Sequence, residues 1–209
     1  MAAIDALETR LLEYLSAPAR SSPALARALR ICEDGAPIAY AATFAWVAWR
    51  SADDPPVRSA LVRTTLAGSV AVLGAGVVAR ALPRSRPSLT LWASRRSASD
   101  SHSFPSDHAA GASAFALASS GLPRGARRAL VALSATTIVS RVLLARHWPS
   151  DVLAALAIGA AASTVAGALP SPMVNTLGEI TVRWLGLSAR ARRTPTASRG
   201  RRQEHRPRR

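Results

Sequence analysis

The stretch SRVLLARHWPSD, residues 140–151, decides how this chain is read. A Ser-Arg pair, Ser140 and Arg141, is followed by His147 and then, four residues on, by Asp151. Apolar runs flank it, residues 129–138 upstream and 152–169 downstream. Ionisable groups between two apolar spans are costly, so they mark functional positions. A carboxylate on the far nitrogen of a histidine holds one tautomer and makes the other nitrogen a better base or nucleophile. Taken alone, the pair fits a second description equally well: Asp151 caps the next helix and His147 lies at a membrane interface.

Two more polar clusters stand at the ends of apolar runs. Phe104, Pro105, Ser106, Asp107 and His108 open one, and RALPRSRP, residues 80–87, closes an earlier one. Brought to one face, the three clusters hold the parts of a phosphate site. Arg86 and Arg141 are forked donors, Ser106 and a helix start add donors, and there are two histidines.

In these residues the chain resembles the type 2 phosphatidic acid phosphatase (PAP2) superfamily. That family includes lipid phosphate phosphatases, polyprenyl diphosphate phosphatases and vanadium haloperoxidases. Its pattern is Lys-x6-Arg-Pro, then Pro-Ser-Gly-His, then Ser-Arg-x5-His-x3-Asp. The third motif is complete in Ser140, Arg141, His147 and Asp151. The second reads Pro105-Ser106-Asp107-His108, with Asp107 where glycine is usual. The first keeps Arg86-Pro87, but the family lysine falls on Ala79, with Arg80 one place later and Arg84 also nearby. The resemblance covers residues 57–169, and three motifs in order are far more specific than any one.

The resemblance implies that His147 attacks phosphorus to form a phosphohistidine, with Asp151 orienting its imidazole. His108 is then the general acid, and afterwards the base for the attacking water. Arg86, Arg141, Ser106 and Arg80 are the expected phosphate-binding residues. No metal or other cofactor is expected, because arginines supply the positive charge that Mg²⁺ supplies elsewhere. Asp107 has no role in this scheme. His102 reads as a loop histidine and His205 as a solvated tail residue.

Composition agrees with a membrane protein. The average of 49% apolar and 19% charged residues hides a segregation, with apolar runs in the middle and arginine at the flanks. All 27 basic residues are arginine, and the net charge is +15. Nine of the arginines follow Ala189, in a tail with no Phe, Trp or Tyr on which a base could stack. The tail, residues 189–209, therefore reads as a disordered segment drawn to anionic lipid head groups, and no nucleic-acid partner is expected. The single cysteine, Cys32, excludes an intramolecular disulfide and any cysteine-based metal cluster. No cleavable secretory signal and no internal repeat are evident.

The expected fold is all-α, an integral membrane helical bundle with about five transmembrane helices and an interfacial N-terminal helix. Residues 3–16 show amphipathic spacing, and residues 17–30 read as a second short surface helix. Candidate spans are residues 35–49, 60–82, 105–120, 129–145 and 152–169, with a basic turn at 121–128. By domain, residues 1–34 form an interfacial segment, 35–170 the phosphatase-like membrane domain and 171–188 a second interfacial segment. Alternating crossings put all three motifs on one side. The positive-inside rule makes the other side cytoplasmic, so in the plasma membrane the site faces the periplasm or exterior and the tail the cytoplasm.

The expected substrate is a membrane lipid carrying a phosphate monoester or diphosphate. A polyprenyl carrier is favoured by family analogy, with phosphatidic acid or phosphatidylglycerophosphate next. The alternatives are a lipid-binding protein without turnover, a vanadate-dependent haloperoxidase and a basic nucleic-acid binder.

Overall fold

The computed structural model describes residues 2–88 and 102–186, with side chains from residue 6 onward. Within these residues the chain is all-helical. Seven α-helices run in order: α1 (Ala2–Ser21), α2 (Pro23–Arg50), α3 (Pro55–Ala81), α4 (Asp107–Ala118), α5 (Arg124–Leu143), α6 (Pro149–Ala168) and α7 (Ser171–Trp184). The tail, and Trp92, Arg95 and Arg96 of the long loop, lie outside the described residues.

Helix boundaries follow local chemistry. Ser22 and Asp54 cap α2 and α3, each accepting a backbone N–H three residues on, with proline in the first turn. Two sequence expectations are corrected. Residues 17–30 form no separate surface helix; α1 runs on to Ser21 and α2 is continuous through residue 50, with Pro37 accommodated inside it. The expected basic turn ends earlier, at a short 3₁₀ turn (Ser119–Gly121), and Arg124, Arg127 and Arg128 lie in the first turns of α5.

The central packing unit is α3, α4 and α6, joined almost entirely through small residues. Ala67, Ala71 and Ala75 of α3 meet Ala109, Ala110 and Ala114 of α4 and Val152, Ala155, Ala162 and Ala166 of α6. Small side chains let helix backbones approach closely. At Gly159 of α6 a Cβ would fall against the Ser113 hydroxyl and within 3 Å of the Ala110 carbonyl and Ala114 nitrogen. A second cluster joins Val47 of α2 to Ala126 and Leu130 of α5, with Tyr40 and Phe44 beside it. Tyr40 and Phe44 both pack against Phe115 of α4, the first tilted and the second edge-on.

The outward faces invert this pattern. Leu73 and Val77 of α3, Leu153 and Val165 of α6 and Ile38 of α2 are exposed, Leu73 by 70%. Two of the described helices, α3 and α6, are both long and apolar enough to cross a bilayer. α4 has 12 residues; that is about 18 Å at the α-helical rise, against a hydrocarbon core of about 30 Å. α2 and α5 are long enough, but each carries several charges near its N-terminus.

Replacing Gly159 by alanine should destabilise the bundle by about 1–3 kcal/mol, because backbone atoms as well as the Ser113 hydroxyl block the new methyl. Gly125→Ala, where nothing lies within 4 Å, is the control. Thermal unfolding of the two purified variants should show a lowered midpoint for the first only.

Candidate functional site

The motifs meet at the end of the bundle where α3 stops and α4 and α6 begin. α5 ends in a Schellman turn: Ala145 N–H donates to the Val142 carbonyl (2.9 Å) and Arg146 N–H to the Arg141 carbonyl (3.0 Å). Ala145 takes the left-handed conformation, φ 51°, that such a turn requires. The reversal sets Arg146 and His147 back against Arg141, whose carbonyl also accepts from the His147 N–H (3.2 Å).

His147 is buried. Its Nδ1 lies 2.8 Å from the Ser103 carbonyl. A carbonyl can only accept, so Nδ1 carries a proton, and in the neutral ring Nε2 then keeps its lone pair. Nε2 faces Arg86, whose Nη1 is 3.5 Å away and also donates to the Arg146 carbonyl (3.1 Å). Asp151 Oδ2 lies 3.8 Å from the same Nδ1, an ion-pair distance, and the shorter contact to the ring is the Ser103 carbonyl. Asp151 also acts one step removed, accepting from the Ser103 hydroxyl (2.5 Å). The same carboxylate accepts the Trp148 N–H (2.9 Å) at the start of α6, so it is also a helix cap.

Its other oxygen accepts from Arg84 (2.8 Å). Arg84 in turn pairs with Glu8 of α1 and donates to Ser150. Arg80 is not brought here: its guanidinium bonds the Gly76 carbonyl one turn back on its own helix, at an exposed position. A helix turns by about 100° per residue, so the one-place shift from the family lysine points the charge elsewhere. Arg84, beyond the helix end, is free of that constraint.

Arg141 is 7% exposed. Its Nε has no hydrogen-bond partner and lies 3.5 Å from Glu33 of α2. Arg86, Arg141 and Arg146 are close enough that each opposes the charge of a neighbour. Burial, together with Arg146, pushes the Arg86 guanidinium below its ordinary value, against the pull of Asp107 and Asp151. Of the three, Arg141 is buried and Arg86 and Arg146 are half-buried, and Glu33 lies beside two of them.

Ser106 is fully buried as the cap of α4, its hydroxyl 3.4 Å from the Ala109 N–H. Its own N–H donates to the Asp151 carbonyl (3.3 Å), tying the start of α4 to that of α6. His108 is half-exposed beside it, with Nδ1 2.7 Å from Asp107. Asp107 lies within electrostatic reach of both His108 and His147. Of the residues named from sequence, His147, Asp151, Arg86, Arg141, Ser106 and His108 thus stand at one end of the bundle. Ser103, Arg146, Glu8 and Glu33 belong with them. Arg146 adjoins His147 in sequence; nothing local distinguishes the other three. An apolar groove of about 350 Å³, lined by Phe44, Leu61, Leu66, Leu177 and Val182 among others, lies at the opposite end.

Among the described residues no three His, Cys, Asp or Glu side chains are grouped as a metal centre requires. The arrangement is that of a helical protein in which the His147 Nε2 faces the Arg86 guanidinium, with Arg141 and Arg146 nearby. The profile of the PAP2 superfamily matches residues 56–171, more than half of the chain, and the chain belongs to that family. The family implies phosphatase activity on phosphate esters, and phosphoric ester hydrolysis is the activity read from it here. No curated protein and no solved structure gives a significant match.

Burial alone would raise the Glu8 carboxyl, but hydrogen bonds from Ser150 and Arg84 outweigh it and hold the group below its ordinary value near 4.5. A depressed carboxyl contributes stability that is whole above the unfolded value and is lost as pH falls through the folded one. The stability difference between wild type and Glu8→Gln should therefore be constant from pH 7 to about 5.5 and shrink below about 4.5. Thermal midpoints measured across that range check it.

Proposed function

We propose that the chain is a membrane lipid phosphatase that works through a phosphohistidine, without a metal. The observation that carries this reading is the His147 Nε2 lone pair held against Arg86 by the Ser103 carbonyl on the opposite nitrogen. In the first step Nε2 bonds to phosphorus as the ester P–O bond breaks, and His108 gives its proton to the departing oxygen. In the second step His108 takes a proton from water, the water oxygen bonds to phosphorus and the P–N bond breaks. Inorganic phosphate leaves and His147 is restored. Arg86 and Arg141 hold the equatorial oxygens, on which charge builds in the transition state.

A lipid substrate is supported by the outward apolar faces of α2, α3 and α6, which would lie in hydrocarbon. The site is at the helix ends, where a head group could reach the arginines while its tail stays in the bilayer. A polyprenyl phosphate or diphosphate is the preferred class, then phosphatidic acid or phosphatidylglycerophosphate. A five-crossing arrangement, in which α4 would cross only together with the chain on either side of it, puts the site toward the periplasm or exterior and the arginine tail in the cytoplasm, in agreement with the positive-inside rule.

His147→Ala should lower phosphate release from purified protein by at least about 1,000-fold while leaving expression intact. Acid-labile label should be trapped on wild type and not on the variant. Assays on polyprenyl diphosphate, polyprenyl monophosphate and phosphatidic acid rank the substrates. Equal turnover by His147→Ala would remove the proposed nucleophile, and no turnover on any of the three would remove the lipid reading.

A further inference from the structure

Glu33 has no place in the chemistry described above, yet it is buried against the phosphoryl site. It lies on α2, outside the matched residues 56–171. Its carboxylate accepts from the Ser140 hydroxyl (3.0 Å), so its position is set from the first residue of the third motif. It stands 3.5 Å from Arg141 Nε and 2.8 Å from Arg146 Nε. Neither contact is an aligned hydrogen bond: Arg141 Nε and Glu33 Oε2 both lack one. Among the described residues nothing else accepts from the Arg141 guanidinium. The carboxylate therefore lies beside the fork without using up its donors.

We infer that Glu33 is a positioning residue that acts as a fixed competitor for the phosphoryl group, lowering the pocket's affinity for phosphate so that product can leave. Three guanidiniums around one phosphate dianion would hold the product about as firmly as the transition state, and uniform binding of that kind does not accelerate turnover. One buried negative charge behind Arg141 and Arg146 offsets part of that attraction. It costs the transition state less, because the forks still face the forming charge with their terminal nitrogens. The same contact holds Arg141 in place when the site is empty.

This rests on the reading of Arg86, Arg141 and His147 as a phosphoryl site, and the test keeps the two apart. Inorganic phosphate is titrated calorimetrically into the purified full-length protein, and kcat and KM are measured in parallel. Wild type that neither binds phosphate nor turns over would end the phosphatase reading itself. With wild type active, Glu33→Gln should bind phosphate roughly tenfold more tightly, with KM and kcat both reduced. Glu33→Asp, which keeps the charge, should stay within about threefold of wild type. A merely structural role predicts the opposite sign, weaker phosphate binding and a raised KM, and that result overturns the inference, as does unchanged affinity.

Removing one partner of a buried charge cluster can prevent folding. In that case the Glu33→Gln, Arg146→Gln double variant carries the test, since it removes one charge of each sign. Its phosphate affinity should lie within about threefold of wild type, while Arg146→Gln alone is weakened roughly tenfold. A double variant as weak as Arg146→Gln alone overturns the inference.

Discussion

The carboxylate of Asp151 is completely buried, and a buried charge is tolerated only when its oxygens are fully paired. Its partners come from three places in the chain. Arg84 lies in the segment after α3, Ser103 just before α4, and the Trp148 N–H at the start of α6 itself. Satisfying this one group therefore pins the ends of three helices together. Those are the segments that carry the three motifs. Losing one partner of such a buried group costs on the order of 3–5 kcal/mol, so the convergence of the motifs and the stability of the bundle are one constraint. The Ser103 carbonyl, positioned by the same hydroxyl bond, then fixes the tautomer of His147.

Close helix packing makes that convergence geometrically available. The buried core of the α3–α4–α6 unit is mostly alanine, while several of its larger apolar side chains, Leu73, Val77, Leu153 and Val165 among them, are exposed. In water such an arrangement would forgo most of its hydrophobic stabilisation. In hydrocarbon, where apolar burial drives little, van der Waals contact and close approach favour it. α4 is too short to bridge a bilayer on its own, and its start is tied to that of α6 through the Ser106 N–H and the Asp151 carbonyl.

The N-terminal helices are part of the site. Glu8 of α1 holds Arg84 and Ser150, and Glu33 of α2 lies under Arg141 and Arg146. Both acidic side chains come from outside the family-matched segment and act on charges within it. The guanidiniums thus fall into two groups. Arg84 bridges Glu8 and Asp151, while Arg86, Arg141 and Arg146 lie close enough to oppose one another's charge, with Glu33 beside the last two.

What the linear chain determined by itself is what depends on neighbours. The i, i+4 spacing of His147 and Asp151 at a helix start, the cap at Ser106, the apolar runs and the all-helical class all follow from short-range pattern. The expectation that Arg86, Arg141 and the two histidines share one site rests on the same kind of signal, because each stands where an apolar run begins or ends. Tertiary structure alone decided which of Arg80 and Arg84 reaches Asp151, that a main-chain carbonyl makes the shorter contact to the ring of His147, and that Glu8 and Glu33 belong to the site. Residues 17–50 show the same limit, since tertiary packing carried α2 on past the break that the local pattern suggested. A charge finds its partner where distant segments cross, and no periodicity in one segment encodes where another will pass.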